Sequence, residues 1–359
     1  MTLDSRGRRA GQDLRRAIDE LTSSDPERRS FQRFVDRRRR QQRNQRIGAG
    51  VLASVLAVGA FVLVARALPG EPPTAVPGGG GRILYGDWDS DRQGAHWFTV
   101  GVDDADPNDL GITATCAVWF PDGRRILITN DAAAGPGRPL RPAIVDPGSG
   151  LRPLDAVTTR NLALGCGDVS PDGERIAVEG FGEDGHRELD GIYSIRASDG
   201  GDLVRLVRGP VSPPRYSPDG RLVSFFDTKE GVGPTGSGAL FVMPADGGAD
   251  PVRITPWGYA FPDHAWSPDG AWIVFQRPYG QLHLVHPNGS GLHRIPVELP
   301  PGAGALNPSF SPDGAWIVFS LQRSGGAEIS IVRADGTDLR RLIAMPGADL
   351  QTPDWALTT

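Results

Sequence analysis

Cys116 and Cys166 are the only two cysteines in this 359-residue chain, and each stands five residues before a Pro-Asp-Gly triplet. Equivalent placement in two copied segments would bring the thiols close together, and an oxidising compartment permits them to join. The same offset before the later triplets gives Pro213, Asp263 and Asn307, and before a degenerate Pro353-Asp354-Trp355 it gives Ala348. Of that set only Asp263 and Asn307 present oxygen to a metal or polar ligand. Asp168 and His264 lie close by in sequence and extend it to a sparse polar ring. Two carboxylates, an amide, an imidazole and a thiol pair can bind, or at most coordinate weakly.

Other constellations come apart on inspection. Asp87-Trp88-Asp89-Ser90-Asp91 opens like a calcium loop, but Arg92 stands where that loop needs glycine and Phe98 where it needs glutamate. An acidic surface loop is the expectation there. His283 and His286 are three apart in a strand pattern, so they point to opposite faces and cannot share a metal. Nothing has zinc spacing, and no Gly-x-Ser-x-Gly marks a nucleophile. The expectation is therefore no catalytic residue, no metal ligand and no cofactor, with a metal-dependent hydrolase in the channel as the lesser alternative.

The elements that would position these residues are written as repeats. Pro-Asp-Gly occurs at Pro121–Gly123, Pro171–Gly173, Pro218–Gly220, Pro268–Gly270 and Pro312–Gly314, and the phrase SPDGAWIVF appears twice, at Ser267–Phe275 and Ser311–Phe319. Proline fixes φ in a tight turn, aspartate bonds the local backbone, and glycine accepts positive φ. Each triplet leads into a β-rich run such as RRILIT or AWIVFQ. A second marker follows at Asp199-Gly200, Asp246-Gly247, Asn288-Gly289 and Asp335-Gly336, a strong hairpin signal joining a third strand to a fourth. Each unit reads as a four-stranded meander, and a fixed period of this length marks a propeller blade. The aspartates recur in every unit, which makes them turn formers rather than acid–base groups.

The ends of the array complement each other. The early strands RILYG (Arg82–Gly86) and HWFTVGV (His96–Val102) have no turn marker before them, and the last repeat stops after one strand, TPDWAL, before Thr359. Thr352–Leu357 is thus expected to be the inner strand of a blade whose outer strands come from Arg82–Thr115. The fold class is then all-β, a six-bladed β-propeller spanning 82–359 and closed by its C-terminal strand. In such a ring Cys116 and Cys166 would lie about 7 Å apart on neighbouring inner strands, near the upper limit for a disulfide. A cross-blade disulfide is the expectation, and two buried thiols the alternative. The aromatic-Ser-Pro-Asp-Gly phrase followed by a strand and Ala-Asp-Gly resembles the WD40-like (PD40) repeat of TolB-type six-bladed propellers. The resemblance covers Arg82–Thr359 and implies that fold without implying an activity.

The first quarter of the chain is of another kind. Ile47–Ala65 holds 19 residues with no charge and no proline, enough helix to cross about 28 Å of hydrocarbon. Arg28–Arg46 before it carries nine arginines and one acid, a flank that stays on the cytoplasmic side. Residues 47–68 thus read as a single transmembrane helix, a retained anchor rather than a cleaved signal. Residues 1–46 read as a basic cytoplasmic segment with two short helices, and 69–81 as a Pro/Gly linker. Localisation follows as the cytoplasmic membrane, single-pass, amino terminus inside and propeller outside.

The partners expected are the membrane itself through Ile47–Leu68 and an unknown protein or small ligand at the propeller face. The arginine run adds a cytoplasmic partner or anionic lipid headgroups. No nucleic acid is expected at the propeller. The function expected is non-catalytic binding or sensing in a bacterial cell envelope, with a transmembrane regulator as the alternative.

Overall fold

The computed structural model describes residues 80–89, 94–103, 106–129, 141–146, 150–154, 161–209, 211–228, 237–345 and 347–357. Val76–Thr359 forms a compact unit of its own. The expected anchor, its cytoplasmic segment and all but the end of the linker lie outside the described residues. Within them no helix is long and apolar enough to cross a membrane.

Within Val76–Thr359 the described residues form a propeller of six four-stranded antiparallel sheets. Blade 1 is built from Arg82–Asp89, Gly94–Gly101 and Asn108–Ala114, with Leu350–Ala356 as its innermost strand. Blades 2 to 6 run outward in chain order from the inner strands Cys116–Trp119, Leu162–Val169, Arg215–Tyr216, His264–Trp266 and Gly304–Phe310. The strand begun at Arg82 continues through Asp89, so the acidic surface loop expected at Asp87 is instead strand for its first three residues.

The inner hairpins of blades 3 to 6 are each shaped by a Ser-Pro-Asp-Gly. The Gly270 N–H donates to the Ser267 carbonyl at 2.8 Å, and Gly270 sits at φ 70°, where a side chain would be strained. The Ser267 hydroxyl donates to Asp269 at 2.5 Å, and Asp269 accepts the Ala271 N–H at 3.0 Å. The same serine–aspartate bond recurs at Ser170–Asp172, Ser217–Asp219 and Ser311–Asp313. The hydroxyl, followed by the backbone donor, holds Asp172, Asp219 and Asp269 below the ordinary carboxylate range. Ser267 also receives the Trp272 N–H at 2.9 Å. Ser267→Ala should therefore cost about 1 kcal/mol, read as a lower urea midpoint at unchanged m.

The apolar residues of each sheet are buried against the next sheet rather than in one central core. One cluster joins Val118, Leu127 and Ile144 of blade 2 to Leu164, Ile176 and Ile195 of blade 3. Another joins Trp316, Val318 and Ile331 of blade 6 to Ile83, Tyr85 and Val100 of blade 1, with Trp355 and Leu350 of the closing strand between them. Neither face of a single blade could be covered alone, which is why the units stack.

Closure uses Leu350–Ala356, which pairs Ile83 with Trp355, Leu84 with Asp354 and Asp87 with Leu350. The Trp88 N–H reaches the Asp349 carbonyl at 3.1 Å, and Asp87 accepts the Asp349 N–H at 3.0 Å. One sequence expectation fails here. Pro353-Asp354-Trp355 is not a worn copy of the turn: it lies inside the strand, and Trp355 pairs with Ile83 as Phe310 does with Ile317. Matched by that pairing, Asn307 of blade 6 corresponds to Thr352, not to Ala348. Both residues carry left-handed backbone, φ 53° and 44°, where their strands shift register.

Candidate functional site

The inner strands can be aligned by the residue that pairs with the aliphatic residue five places after the turn proline, or with Ile83 in blade 1: Trp119, Val169, Tyr216, Trp266, Phe310 and Trp355. The residue just before each forms one tier of the ring: Val118, Asp168, Arg215, Ala265, Ser309 and Asp354. Val118 is buried, and the other five are half-buried. Two of them make the same bond. Asp168 accepts the Tyr216 N–H at 2.8 Å, and Asp354 accepts the Trp119 N–H at 2.9 Å. In each case an aspartate of one blade holds the backbone of the next. Asp354 also takes the Ser309 hydroxyl at 3.4 Å, so the closing strand is tied to blades on both sides. Arg215 reaches back from blade 4 to the Gly167 carbonyl at 3.3 Å.

A second tier is set by the eighth residue after each turn proline: Thr129, Glu179, Phe226, Gln276 and Ser320. Thr129 donates to the Gly165 carbonyl at 3.1 Å, Gln276 accepts the Asn307 N–H at 2.8 Å, and Ser320 donates to the Leu350 carbonyl. Each of these bonds fastens the second strand of one blade to the inner strand of the next. Glu179 departs from the pattern. Its carboxylate accepts the Cys166 N–H, in its own blade, at 3.0 Å.

Glu179 can do so because Cys166 lies between two glycines at a register shift of its strand. A Cβ on Gly165 would lie 2.6 Å from the Glu179 carboxylate, and one on Gly167 would lie 2.2 Å from the Ala177 carbonyl. The bare backbone lets the strand bend toward blade 2. Cys166 is bonded to Cys116 there, with their Cα atoms 5.9 Å apart, inside the range a disulfide accepts.

The polar residues picked from sequence are thus distributed over several environments. Cys116, Cys166, Asp168 and Asp263 are half-buried around the axis. His264 is not a channel residue. It is 2% exposed, with Nε2 2.8 Å from the Ser224 hydroxyl and Nδ1 2.9 Å from the Pro262 carbonyl. Strand alternation turns it into the packing between blades while its neighbour Ala265 faces the ring. Asn307 is also buried, held by its backbone to Gln276. Sequence reasoning missed Glu179, Arg215 and Asp354. Arg215 and Asp168 share an offset of three before the turn proline, and Asp354 joins them only when the closing strand is aligned by its tryptophan.

These groups act on one another. Burial pushes Glu179 up to about 8, with Asp263 adding to the effect and the Cys166 N–H and Arg215 opposing it. Burial likewise raises Asp168 to about 6, against Arg215 and the Tyr216 N–H, while Asp354 adds its repulsion. Both side chains are largely walled by protein, so little water reaches their charge. Burial, reinforced by Arg215, lowers His264 to about 4 and keeps it neutral. Among the described residues no three of the His, Cys, Asp and Glu side chains converge as a metal centre. The arrangement offers a guanidinium, carboxyls that differ in charge at neutral pH, and backbone rims.

No protein-family model matches this chain, and no curated protein matches it. Solved structures do. TolB from Acinetobacter baumannii is 21% identical with a TM-score of 0.60, over 77% of this chain and 66% of that one. A putative TolB from Agrobacterium tumefaciens is 20% identical with a TM-score of 0.54, over 75% of this chain and 91% of that one. A puromycin hydrolase is 17% identical with a TM-score of 0.51, over 78% of this chain and 47% of its own length. The chain therefore spans just under two thirds of the Acinetobacter protein and about half of the hydrolase. Identities this low establish a shared fold, that of TolB-type six-bladed propellers, and leave the activity to the site.

Proposed function

We propose that this protein is a membrane-anchored propeller outside the cytoplasmic membrane that binds or senses a partner at its channel mouth without catalysis of its own. The observation that supports binding is a chain of charged groups on the inner strands: Arg215 of blade 4 acts on both Asp168 and Glu179 of blade 3, Asp354 of the closing strand acts on Asp168, and Asp263 before blade 5 acts on Glu179. A closed ring of rigid sheets presents such groups in fixed positions, which suits recognition. The anchor rests on Ile47–Ala65 and the arginine-rich flank before it. The likeness to TolB-type propellers is in keeping with a binding role in the envelope.

The test is a pull-down with the whole detergent-solubilised protein, followed by the same capture with Asp263→Ala. Asp263 belongs to neither aspartate clasp, so the variant should fold and lose captured partner at least about tenfold, the usual scale for one buried polar contact. Equal capture by both forms would remove the channel from the reading. Protease added to intact cells should cleave the propeller, and a ring that survives until lysis would put it inside. The regulator reading differs in one outcome. Removing residues 1–27 while keeping the arginine flank should abolish a downstream response and leave capture intact. A hydrolase would instead copurify with stoichiometric metal, lost in Asp263→Ala.

A further inference from the structure

The disulfide has features that a purely structural staple does not need. Both of its residues are half-buried at the channel rather than sealed in a core. Gly165 and Gly167 flank Cys166, and their bare backbone lets the Glu179 carboxyl and the Ala177 carbonyl come close on either side of it. A carboxyl sits against it: Glu179 meets the Cys166 N–H at 3.0 Å, the one polar side chain of its tier whose hydrogen bond stays within its own blade. Thr129, Gln276 and Ser320 all bind across the blade boundary there. A neutral amide or hydroxyl would have served as a fastener, and this blade carries an ionisable group instead.

We infer that Cys116–Cys166 is an exchange-competent disulfide, open to small thiols through the channel, with the Glu179 carboxyl as proton source for the departing cysteine. In the first step an incoming thiolate attacks one sulfur, the Cys116–Cys166 bond breaks, and a mixed disulfide forms. The displaced cysteine leaves with the electron pair and takes the proton of Glu179. In the second step a further small thiolate attacks the small-thiol sulfur of the mixed disulfide, and the second cysteine leaves with the electron pair and takes a proton from water. The protein ends with two thiols, and the small thiol ends oxidised as its own disulfide. Two electrons pass from thiol to protein, and reoxidation needs an oxidant of the disulfide or quinone class. The charged groups acting on Glu179 are Arg215 from blade 4 and Asp263 before blade 5, and Asp168 is coupled to the same Arg215. Arg215 would also favour a thiolate in this place. At neutral pH burial keeps Glu179 protonated, as a donor must be.

The experiment takes the full chain in detergent without denaturant, adds dithiothreitol or glutathione, and counts alkylated thiols by mass against time between pH 6 and 9. The wild-type disulfide should be reduced in the folded state. Glu179→Gln keeps an acceptor for the Cys166 N–H but has no proton to give, and should react on the order of tenfold more slowly below pH 8. The two rates should converge above pH 8, where Glu179 is ionised as well, a pattern that altered packing alone would not give. A disulfide reduced only after urea is added would overturn the inference. So would equal rates for the two proteins across the pH range. The measurement requires neither the anchor nor a partner, so it can fail while the binding reading stands, and the reverse.

Discussion

Trp355→Ala should lower the free energy of unfolding by about 4 kcal/mol, the scale for removing a large buried aromatic. Trp355 is 5% exposed and packs in the cluster that joins blade 6 to blade 1, so its loss opens a cavity on both sides of the closure. Asp354→Ala should cost about 1 to 2 kcal/mol, because it strands the half-buried Trp119 N–H that its carboxylate now receives. The two residues are adjacent, so the double variant need not equal the sum. Leu357→Ala is the control: at 59% exposed it should stay within about 0.5 kcal/mol of the parent. Urea midpoints at constant m give all four numbers. A Trp355→Ala protein as stable as the Leu357 control would mean that the ring does not depend on its last strand.

The repeat made the blades legible, because a turn that needs proline, aspartate and glycine in fixed order leaves its letters in the sequence. The closing strand was legible for a different reason: early strands without a turn marker needed a partner, and the tail needed a sheet. Its detailed alignment was not legible. The letters Pro-Asp in Pro353-Asp354 mimic the turn, whereas the physical equivalence lies in Trp355 pairing with Ile83. Reading the tail by its letters moved Asp354 out of the ring and put Ala348 in. His264 went wrong through parity. One step along a strand changes the face, and only the pairing of Trp266 with Ile273 says which face that is. Glu179 was hidden because its strand looks like any other second strand. The two glycines around Cys166 were its only trace, and they acquire meaning only once the carboxylate is seen lying over Gly165. Residues 1–79 carry the anchor expectation, and the fold of the ring does not bear on it.

The second large effect is one of pH. Glu179 holds its proton up to about 8 in the folded protein, whereas its ordinary value is 4.5. Below pH 4.5 both states are protonated and the folded state keeps its whole advantage. As pH rises the unfolded chain ionises while the folded one does not, so stability falls until pH passes 8. His264 acts in the opposite sense. Its folded value of about 4 lies below 6.5, as does that of His283, so both add stability as pH rises from 4 through 6.5 and little above 7. Asp168, at about 6, has finished titrating by pH 7, and the turn aspartates titrate lower still. The interval from pH 6.5 to 8 therefore belongs to Glu179 among the shifted groups. One proton's difference across it corresponds to about 2 kcal/mol. Unfolding free energies measured in urea at pH 6.5, 7, 7.5 and 8 should decline by that amount for the parent protein. In Glu179→Gln, which mimics the protonated form throughout, the curve should be level. Parallel curves would mean that Glu179 is already ionised at neutral pH, with its charge carried by Arg215. The carboxyl beside the disulfide would then be an anion, with no proton to give.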